Sequence, residues 1–256
     1  MIDSRAVIDR DAKIDSNVTI GPFAIIGAGV SIAPGTWIGP HVVITGPTRI
    51  GRDNRIFPFA VIGGDPQDKK YQGEVTSLEI GDGNTIREYC TISRGTVQDR
   101  GVTSVGDDNW IMAYVHIAHD CRVGAHTTFA NNATLAGHVQ IDDYAALGGF
   151  TLVHQFCRIG AHAFSGMGTT ISKDVPPYVT VNGNPARVRG LNTEGLRRHE
   201  FSAKAIKGLR KAYKILYRSG LTLEQALPVL REQIPECGDV ARLVTFLELQ
   251  SRGVVR

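Results

Sequence analysis

An aliphatic residue recurs at every sixth position along most of the chain. Isoleucine fills this position without a break from Ile2 to Ile62, and the same phase returns at Ile80. After a shift of one residue the column continues from Val105 to Ile171. An α-helix has a period of 3.6 and a long strand a period of 2, so neither keeps one aliphatic residue in six. Short strands that turn a corner after each repeat do, and the sequence therefore predicts a β-helix of hexapeptide repeats.

A second column of small side chains runs two positions before the aliphatic one. Residues two apart on a strand face the same way, so both columns are expected to point into a narrow core. Three of the four cysteines fall in this column, and no two cysteines form a CxxC pair, which argues against a disulfide framework or a cysteine zinc site. The column includes Val18, Ala24, Val30, Thr36, Val42, Ala60, Cys90, Val115, Cys121, Ala133, Ala145 and Cys157.

The period gives neither the number of sides nor the handedness of the coil. Proteins with this hexapeptide pattern resemble one another in forming left-handed triangular prisms with three hexapeptides per coil, and that resemblance implies the same here. We therefore predict a mainly β protein, a left-handed parallel β-helix over residues 1–185 with excursion loops at 63–79 and 97–104. A small C-terminal α-helical domain is predicted over residues 186–256.

Helical signals appear once the repeat is lost. Ser202 can cap a helix that carries Ile206, Leu209, Tyr213 and Leu216 at helical spacing, and Thr222 to Gln225 has the form of a capping box. Helices placed here would cover the open end of the prism, whose unpaired strand edges would otherwise be exposed.

Positive charge is concentrated in the predicted helical tail. The net charge of the chain is +3, but residues 196–220 hold eight lysines or arginines and one acid, a local charge of +7. This stretch can be a docking surface for an acidic partner or a solvated helix face. The chain shows neither a secretory signal nor an apolar run of roughly 20 residues, so a cytoplasmic protein without stable membrane insertion is expected.

Six of the eight histidines lie between His116 and His162, outside both inward columns. With three hexapeptides per coil, residues one coil apart in sequence stack about 4.8 Å apart in space. This spacing stacks His119, Gly137 and Gln155 in one column, and it gathers His119, His138 and His154 within three coils. Three histidines that converge beside the acid Asp120 predict a functional site.

The pair His119-Asp120 suits general-base chemistry, because a carboxylate can orient a histidine whose pKa lies near neutrality. Gly137, one coil away, leaves its backbone N–H open to approach, as an oxyanion donor must be. This arrangement favours acyl transfer to a hydroxyl without a covalent intermediate. The rival interpretation is a zinc site like that of the γ-class carbonic anhydrases, which use an HxxxxH pair. No two histidines here have that spacing, so we predict no metal and no cofactor.

Several motifs together resemble the UDP-N-acetylglucosamine acyltransferases of lipid A biosynthesis. The resemblance covers the whole chain, and its loop and tail motifs are more specific than single hexapeptides. It implies a homotrimer with active sites between subunits, acyl carrier protein as donor, UDP-N-acetylglucosamine as acceptor, and no nucleic acid partner. The motifs are residues 117–121, 131–138, 153–157 and 174–178, together with Gln67-Asp68, Lys70-Tyr71, 192–198 and 252–256.

The resemblance also implies roles for individual residues. His119 would deprotonate the sugar 3-hydroxyl for attack on a 3-hydroxyacyl thioester, Asp120 would orient His119, and the Gly137 N–H would hold the oxyanion. Met167 would close the acyl groove at about ten carbons. Because acyl carrier protein is acidic, the +7 stretch would dock it. Substrate contacts would come from Asp68, Lys70, His116, His138, His154, Gln155, Asn192, Glu194 and Arg198.

The sequence leaves the acceptor open. Family members commonly have histidine at Ser93, leucine at Lys69 and arginine at His199, and some relatives acylate a 3-amino sugar. A second interpretation is an acetyl-CoA-dependent hexapeptide transferase, which does not explain residues 67–71 or the basic tail. A non-enzymatic scaffold or ice-binding β-helix is a third, but flat threonine-rich faces would then be expected where histidines stand.

Overall fold

The computed structural model describes residues 1–249 and 252–256, and it confirms the predicted left-handed parallel β-helix. The chain winds into a triangular prism with one sheet on each of its three sides. The first face consists of β1 (Val7–Ile8), β4 (Ile25–Ile26), β7 (Val43–Ile44), β10 (Val61–Gly64), β13 (Thr91–Ser93), β16 (His116–Ile117), β19 (Thr134–Leu135), β22 (Leu152–Val153) and β25 (Thr170–Ile171).

The other two faces are built from the strands between these. The second face consists of β2 (Lys13–Ile14), β5 (Val30–Ile32), β8 (Thr48–Ile50), β11 (Ser77–Ile80), β14 (Val102–Val105), β17 (Arg122–Val123), β20 (Gln140–Ile141) and β23 (Arg158–Ile159). The third face consists of β3 (Thr19–Ile20), β6 (Trp37–Ile38), β9 (Arg55–Ile56), β12 (Thr85–Ile86), β15 (Trp110–Ile111), β18 (Thr128–Phe129), β21 (Ala146–Leu147), β24 (Phe164–Ser165), β26 (Val179–Asn182) and β27 (Arg187–Leu191).

The strand register reproduces the predicted coil of three hexapeptides. Thr134 pairs with Leu152 and Leu152 with Thr170, each partner standing three hexapeptides further along the chain. Two longer steps, from Val61 to Thr91 and from Thr91 to His116, mark the excursions.

The excursion loops differ from the predicted bounds. The first covers residues 65–76 between β10 and β11, because strand pairing extends into the predicted 63–79 at both ends. The second covers residues 94–101, not 97–104, because Val102–Val105 pairs along its length with Ser77–Ile80. The backbone hydrogen bonds available on the longer strand β11 draw these residues into the sheet.

Both inward columns form the core, as the repeat predicts. Ile38, Ile62 and Leu135 are fully buried in the aliphatic column, and Ala60 and Ala133 are fully buried in the small one. All four cysteines are buried free thiols. Narrow sides leave room for one large and one small residue per repeat, which is why the two columns alternate in size.

The corners of the prism hold side chains in left-handed backbone conformation. The first edge, between the first and second faces, carries Asp120, His138 and Phe156 with φ of 60°, 62° and 65°. The second edge, between the second and third faces, carries His126, Tyr144 and His162, and the third edge carries Asn132 and Phe150. Asparagine and aspartate adopt this conformation more readily than bulky residues do. Rings stacked one coil apart, such as Tyr144 on His162 at 4.8 Å, supply compensating contacts.

Four helices follow the prism in the described part of the chain: α1 (Thr193–Arg198), α2 (Ala203–Arg218), α3 (Leu223–Arg231) and α4 (Asp239–Glu248). The predicted caps are present, since Ser202 accepts from the Ala205 N–H and Thr222 forms a capping box with Gln225. None of these helices has the length and apolar character needed to cross a membrane.

The helical segment covers the end of the prism. Tyr213 and Tyr217 of α2 and Val255 of the C-terminal segment pack against the prism core. The last strand, β27, returns antiparallel to β26 and so caps the third face. The division into two domains after residue 185 stays a prediction.

Candidate active site

His119 and Asp120 form a hydrogen-bonded pair at the first edge. The Nδ1 atom of His119 lies 2.8 Å from Oδ2 of Asp120. The His119 side chain is 13% exposed and that of Asp120 is 1% exposed, so only the imidazole can meet a ligand. Since a carboxylate accepts the Nδ1 proton, the lone pair of neutral His119 is on Nε2, where a base needs it.

Two threonines that the sequence did not single out hold Asp120, Thr96 at its carboxylate and Thr103 at its backbone N–H. Thr96 donates to Asp120 from its backbone N–H at 2.9 Å and from its hydroxyl at 2.6 Å, and the Asp120 N–H donates to the Thr103 hydroxyl. Burial alone would raise the pKa of Asp120, but the bonds from His119 and Thr96 outweigh it and lower the pKa below its usual value. Asp120 is therefore an anion at neutral pH. Thr96 reaches the carboxylate only because the second loop folds back, which no periodicity indicates.

Gly137 lies directly beneath the His119 ring. A Cβ atom at position 137 would stand 2.5 Å from Cε1 and 2.7 Å from Nε2 of His119. Glycine is thus the residue that admits the imidazole in this position. Among the described residues no acceptor takes the Gly137 N–H, which is consistent with the oxyanion role expected of it.

Four more of the predicted residues are at or beside the first edge. His116 bonds the Thr91 hydroxyl at 2.7 Å, and burial and the nearby His119 lower its pKa. His138 lies edge-on to His119 with ring centroids 5.2 Å apart, and its Nδ1 is 3.2 Å from Oδ2 of Asp99. His154 and Gln155 are exposed in the next coil.

The first loop meets this edge in a cavity of about 500 Å³. It brings the predicted Asp68 and Lys70 together with Asp120 and His138. The backbone N–H of Lys70 donates to the Asp68 carboxylate at 3.0 Å, so the two residues form one turn. Asp99, Arg122 and Arg158 line the same cavity and were not predicted. The exposed ends of these polar groups can bind a polar substrate such as a sugar.

The remaining predicted residues lie at the other edges. Asn192 is held at the second edge, where its Nδ2 donates to the His162 carbonyl and its Oδ1 caps α1. Glu194 and Arg198 form an exposed ion pair of 3.2 Å on that helix. Met167, 78% exposed, lies at the third edge. The predicted residues of one chain therefore lie at three different edges and do not surround one substrate.

The three residues that depart from the family pattern have different settings. Ser93 is buried and pairs with Gly64 at the base of the first loop. Lys69 is exposed on that loop. His199 packs edge-on against Tyr144 and His162 at the second edge. Lys69 therefore belongs to the loop that forms the cavity, and Ser93 lies in the strand at the base of that loop.

His119, Asp120 and His138 also offer three potential metal ligands within 4.8 Å of one another. The network described above engages these groups: His119 Nδ1 bonds Asp120, whose carboxylate also accepts two bonds from Thr96, and His138 Nδ1 bonds Asp99. This arrangement suits proton transfer, and the absence of a metal stays a prediction.

Comparison with known proteins identifies the family. Residues 174–255 match the model described as UDP-N-acetylglucosamine O-acyltransferase, domain 2, and residues 5–36 and 103–137 match bacterial transferase hexapeptide repeats. The acyl-[acyl-carrier-protein]–UDP-N-acetylglucosamine O-acyltransferase of Verminephrobacter eiseniae is 61% identical over 255 residues, covering 98% of this chain and 97% of its own. The chain belongs to the UDP-N-acetylglucosamine O-acyltransferase family.

Solved structures of this acyltransferase family have the same fold. LpxA from Acinetobacter baumannii superposes with a TM-score of 0.98 at 49% identity, covering 100% of this chain and 99% of its own. The UDP-N-acetylglucosamine acyltransferase of Francisella novicida also gives 0.98, at 44% identity, covering 100% of this chain and 94% of its own. The predicted family and enzyme class are therefore confirmed.

Proposed function

We propose that this acyltransferase moves a 3-hydroxyacyl chain from acyl carrier protein to the 3-hydroxyl of UDP-N-acetylglucosamine, the first step of lipid A biosynthesis. The observation that carries the proposal is the hydrogen-bonded pair His119-Asp120, seated on Gly137 beside a polar cavity. The names of the full-length relatives support the same donor and acceptor.

The geometry of the pair supports the following reaction. His119 Nε2 takes the proton of the sugar 3-hydroxyl as its oxygen attacks the thioester carbonyl. The Gly137 N–H stabilises the oxyanion of the tetrahedral intermediate, and the Asp120 carboxylate stabilises the imidazolium. Collapse breaks the C–S bond, and the His119 imidazolium returns the proton to the departing thiolate. The products are the ester and the free thiol of the carrier.

No covalent acyl-enzyme is needed in this scheme. Cys121 is adjacent to the pair in sequence, but it points into the core, and burial raises the pKa of its thiol to about 12. A thiol that stays protonated at neutral pH is a poor nucleophile. Direct transfer from carrier to sugar is therefore the simpler route.

The carrier protein is proposed to dock on α2. The basic side chains of this helix line a groove of about 770 Å³, and only the Lys211–Glu236 pair there is an ion pair among the described residues. Acyl carrier protein is acidic, so a row of uncompensated cations attracts it. The groove is lined by Lys204, Lys207, Gly208, Arg210, Lys211, Lys214, Gln233, Pro235, Glu236 and Cys237.

A homotrimer is proposed because the predicted substrate residues are divided among three edges. The prism is convex, so a cleft that holds one substrate between His119, Arg198 and Met167 requires a second copy of the chain. We propose the cytoplasm as the compartment, since the four cysteines are free thiols.

The proposal is tested by acyl transfer with the purified enzyme. We expect transfer from 3-hydroxydecanoyl carrier protein to UDP-N-acetylglucosamine, measured by mass spectrometry of the acylated nucleotide. The 3-amino analogue of the sugar nucleotide and 3-hydroxydecanoyl-CoA serve as competing acceptor and donor. Preference for the amino sugar would replace the ester product by an amide, and preference for the CoA donor would refute docking of the carrier protein. Absence of transfer to both sugars would refute the function.

Met167 is proposed to limit the acyl chain to about ten carbons. It stands one coil after Gly149, and exposed Phe150 and Leu152 continue an apolar strip towards His154. Each buried CH₂ contributes about 0.8 kcal/mol, so two additional carbons change binding by about tenfold. We expect Met167→Gly to shift kcat/KM towards donors of 12 or 14 carbons by at least about that factor. Met167→Leu, which keeps the volume, should retain the original profile, and an unchanged profile in the glycine variant would contradict the role.

A further inference from the structure

Arg94 connects the start of the first loop to Tyr71 in the middle of that loop. Its Nη1 donates to the Gly63 carbonyl at 2.5 Å, and its Nη2 bonds the Asp65 carboxylate and, at 3.1 Å, the Tyr71 hydroxyl. Gly63 and Asp65 precede Asp68 and Lys70, and Tyr71 follows them. One side chain therefore closes residues 65–71 into a ring around the two substrate residues.

The guanidinium of Arg94 is unusually deep for a charged group. Arg94 is 7% exposed, the lowest exposure of an arginine in the described part of the chain. Its Nε is buried without a partner there. A buried unpaired donor lowers stability, so such a group is expected where its geometry serves a function.

The two residues that follow Arg94 extend this connection to the catalytic pair. Thr96 makes the two hydrogen bonds to Asp120 described above. Between them, Gly95 packs so closely on Gly101 and Val102 that a Cβ would clash with their backbone. In the tripeptide 94–96, the first residue therefore holds the substrate loop and the third holds the catalytic carboxylate, and closely packed Gly95 joins them.

We propose that Arg94 is a positioning residue that sets the distance between the acceptor-binding turn Asp68–Lys70 and the base His119. The proposal rests on the proposed function, because it assigns that turn to the acceptor. The Lys70–Asp68 bond is internal to the turn, so without Arg94 the turn keeps its shape but loses its anchor. Acceptor binding then requires ordering of a free loop, which costs conformational entropy.

The two anchors should have separable effects. Loss of Arg94 raises KM for the sugar nucleotide and leaves kcat at saturation and KM for the carrier thioester nearly unchanged. Loss of the Thr96 hydroxyl in Thr96→Val lowers kcat and leaves acceptor KM nearly unchanged. Hydrogen bonds to charged groups contribute enough that a tenfold to hundredfold rise in acceptor KM, roughly, is expected for Arg94→Ala.

The test compares Arg94→Ala with Arg100→Ala, which removes an exposed arginine from the second loop. Millimolar methylguanidinium should lower the raised acceptor KM of Arg94→Ala towards the wild-type value, and urea at the same concentration should not. Arg94→Lys keeps the charge but cannot bond three groups in a fork, so it should retain the fold and still show the raised KM.

Hydrogen exchange separates failure of this inference from failure of the proposed function. Amides of residues 65–76 should exchange faster in Arg94→Ala while those of the prism strands do not, whatever the substrate. If the wild type lacked the proposed activity but exchange were still faster in Arg94→Ala, the proposed function would be refuted. The role of Arg94 in anchoring the first loop would still stand. Unchanged exchange, or an equal rise in acceptor KM in the Arg94 and Arg100 variants, would overturn the role of Arg94.

Discussion

Replacement of His119 by alanine is expected to lower kcat at least 10²-fold, because general-base catalysis typically contributes 10²- to 10⁴-fold. The donor and acceptor contacts lie on other residues, so both KM values should change little. The measurement is steady-state transfer from 3-hydroxydecanoyl carrier protein at saturating sugar nucleotide.

His126 provides a matched control for His119. Its imidazole also lies near a carboxylate, 3.7 Å from Asp108, but at the second edge, where it stacks on Tyr144. His126→Ala should retain activity. If His119→Ala kept wild-type kcat, His119 would lose the role of base.

The same variant tests the intersubunit site. His119→Ala and Arg198→Ala each disable one side of the proposed cleft. When the two variants are refolded together, some clefts combine His119 from one chain with Arg198 from another. Recovery of part of the activity in mixtures would support clefts between subunits. Activity no higher than the sum of the separate variants would place each site within one chain.

Gly137→Ala is expected to lower kcat at least 10²-fold without unfolding the prism. The added methyl would stand 2.5 Å from the His119 ring, so the imidazole must move away from the position where its Nε2 reaches the substrate. A displacement of about 1 Å can reduce a rate by about 10²-fold. The backbone N–H is retained, so this loss reports the placement of His119 rather than the oxyanion donor.

Gly27→Ala is the corresponding control, since a Cβ there would meet its nearest atom at an ordinary 3.4 Å. Activity and thermal midpoint should be those of the wild type. Because both residues act on one proton transfer, the double variant with His119→Ala should be no slower than His119→Ala alone. An additional loss would mean that Gly137 acts independently of His119.

Much of the site could be predicted from the repeat. With three hexapeptides per coil, Gly137 stands one coil after His119 in sequence and is therefore predicted to lie against it. The structure has this contact, since a Cβ at position 137 would clash with the His119 ring. The caps at Ser202 and Thr222 were equally predictable, since they depend on residues three apart in sequence.

The loops could not be predicted in this way. Thr96 and Arg94 reach their partners through the second excursion, where the period is interrupted and sequence distance no longer gives spatial distance. The bounds 97–104 were wrong for the same reason, because the pairing of β14 with β11 decided where the strand began.

The sequence by itself determined the β-helix and the inward columns, because a strict period turns position in the chain directly into position in space. With the coil of three hexapeptides that the resemblance implies, the same period also placed the histidine edge. Only the tertiary structure decided how the two loops fold back, that Thr96 holds the Asp120 carboxylate and that Arg94 closes the substrate loop. Those contacts join residues 23 to 31 positions apart, and each has at least one end in a loop that interrupts the repeat. Their formation depends on the packing of each loop against the finished prism, which local sequence does not encode.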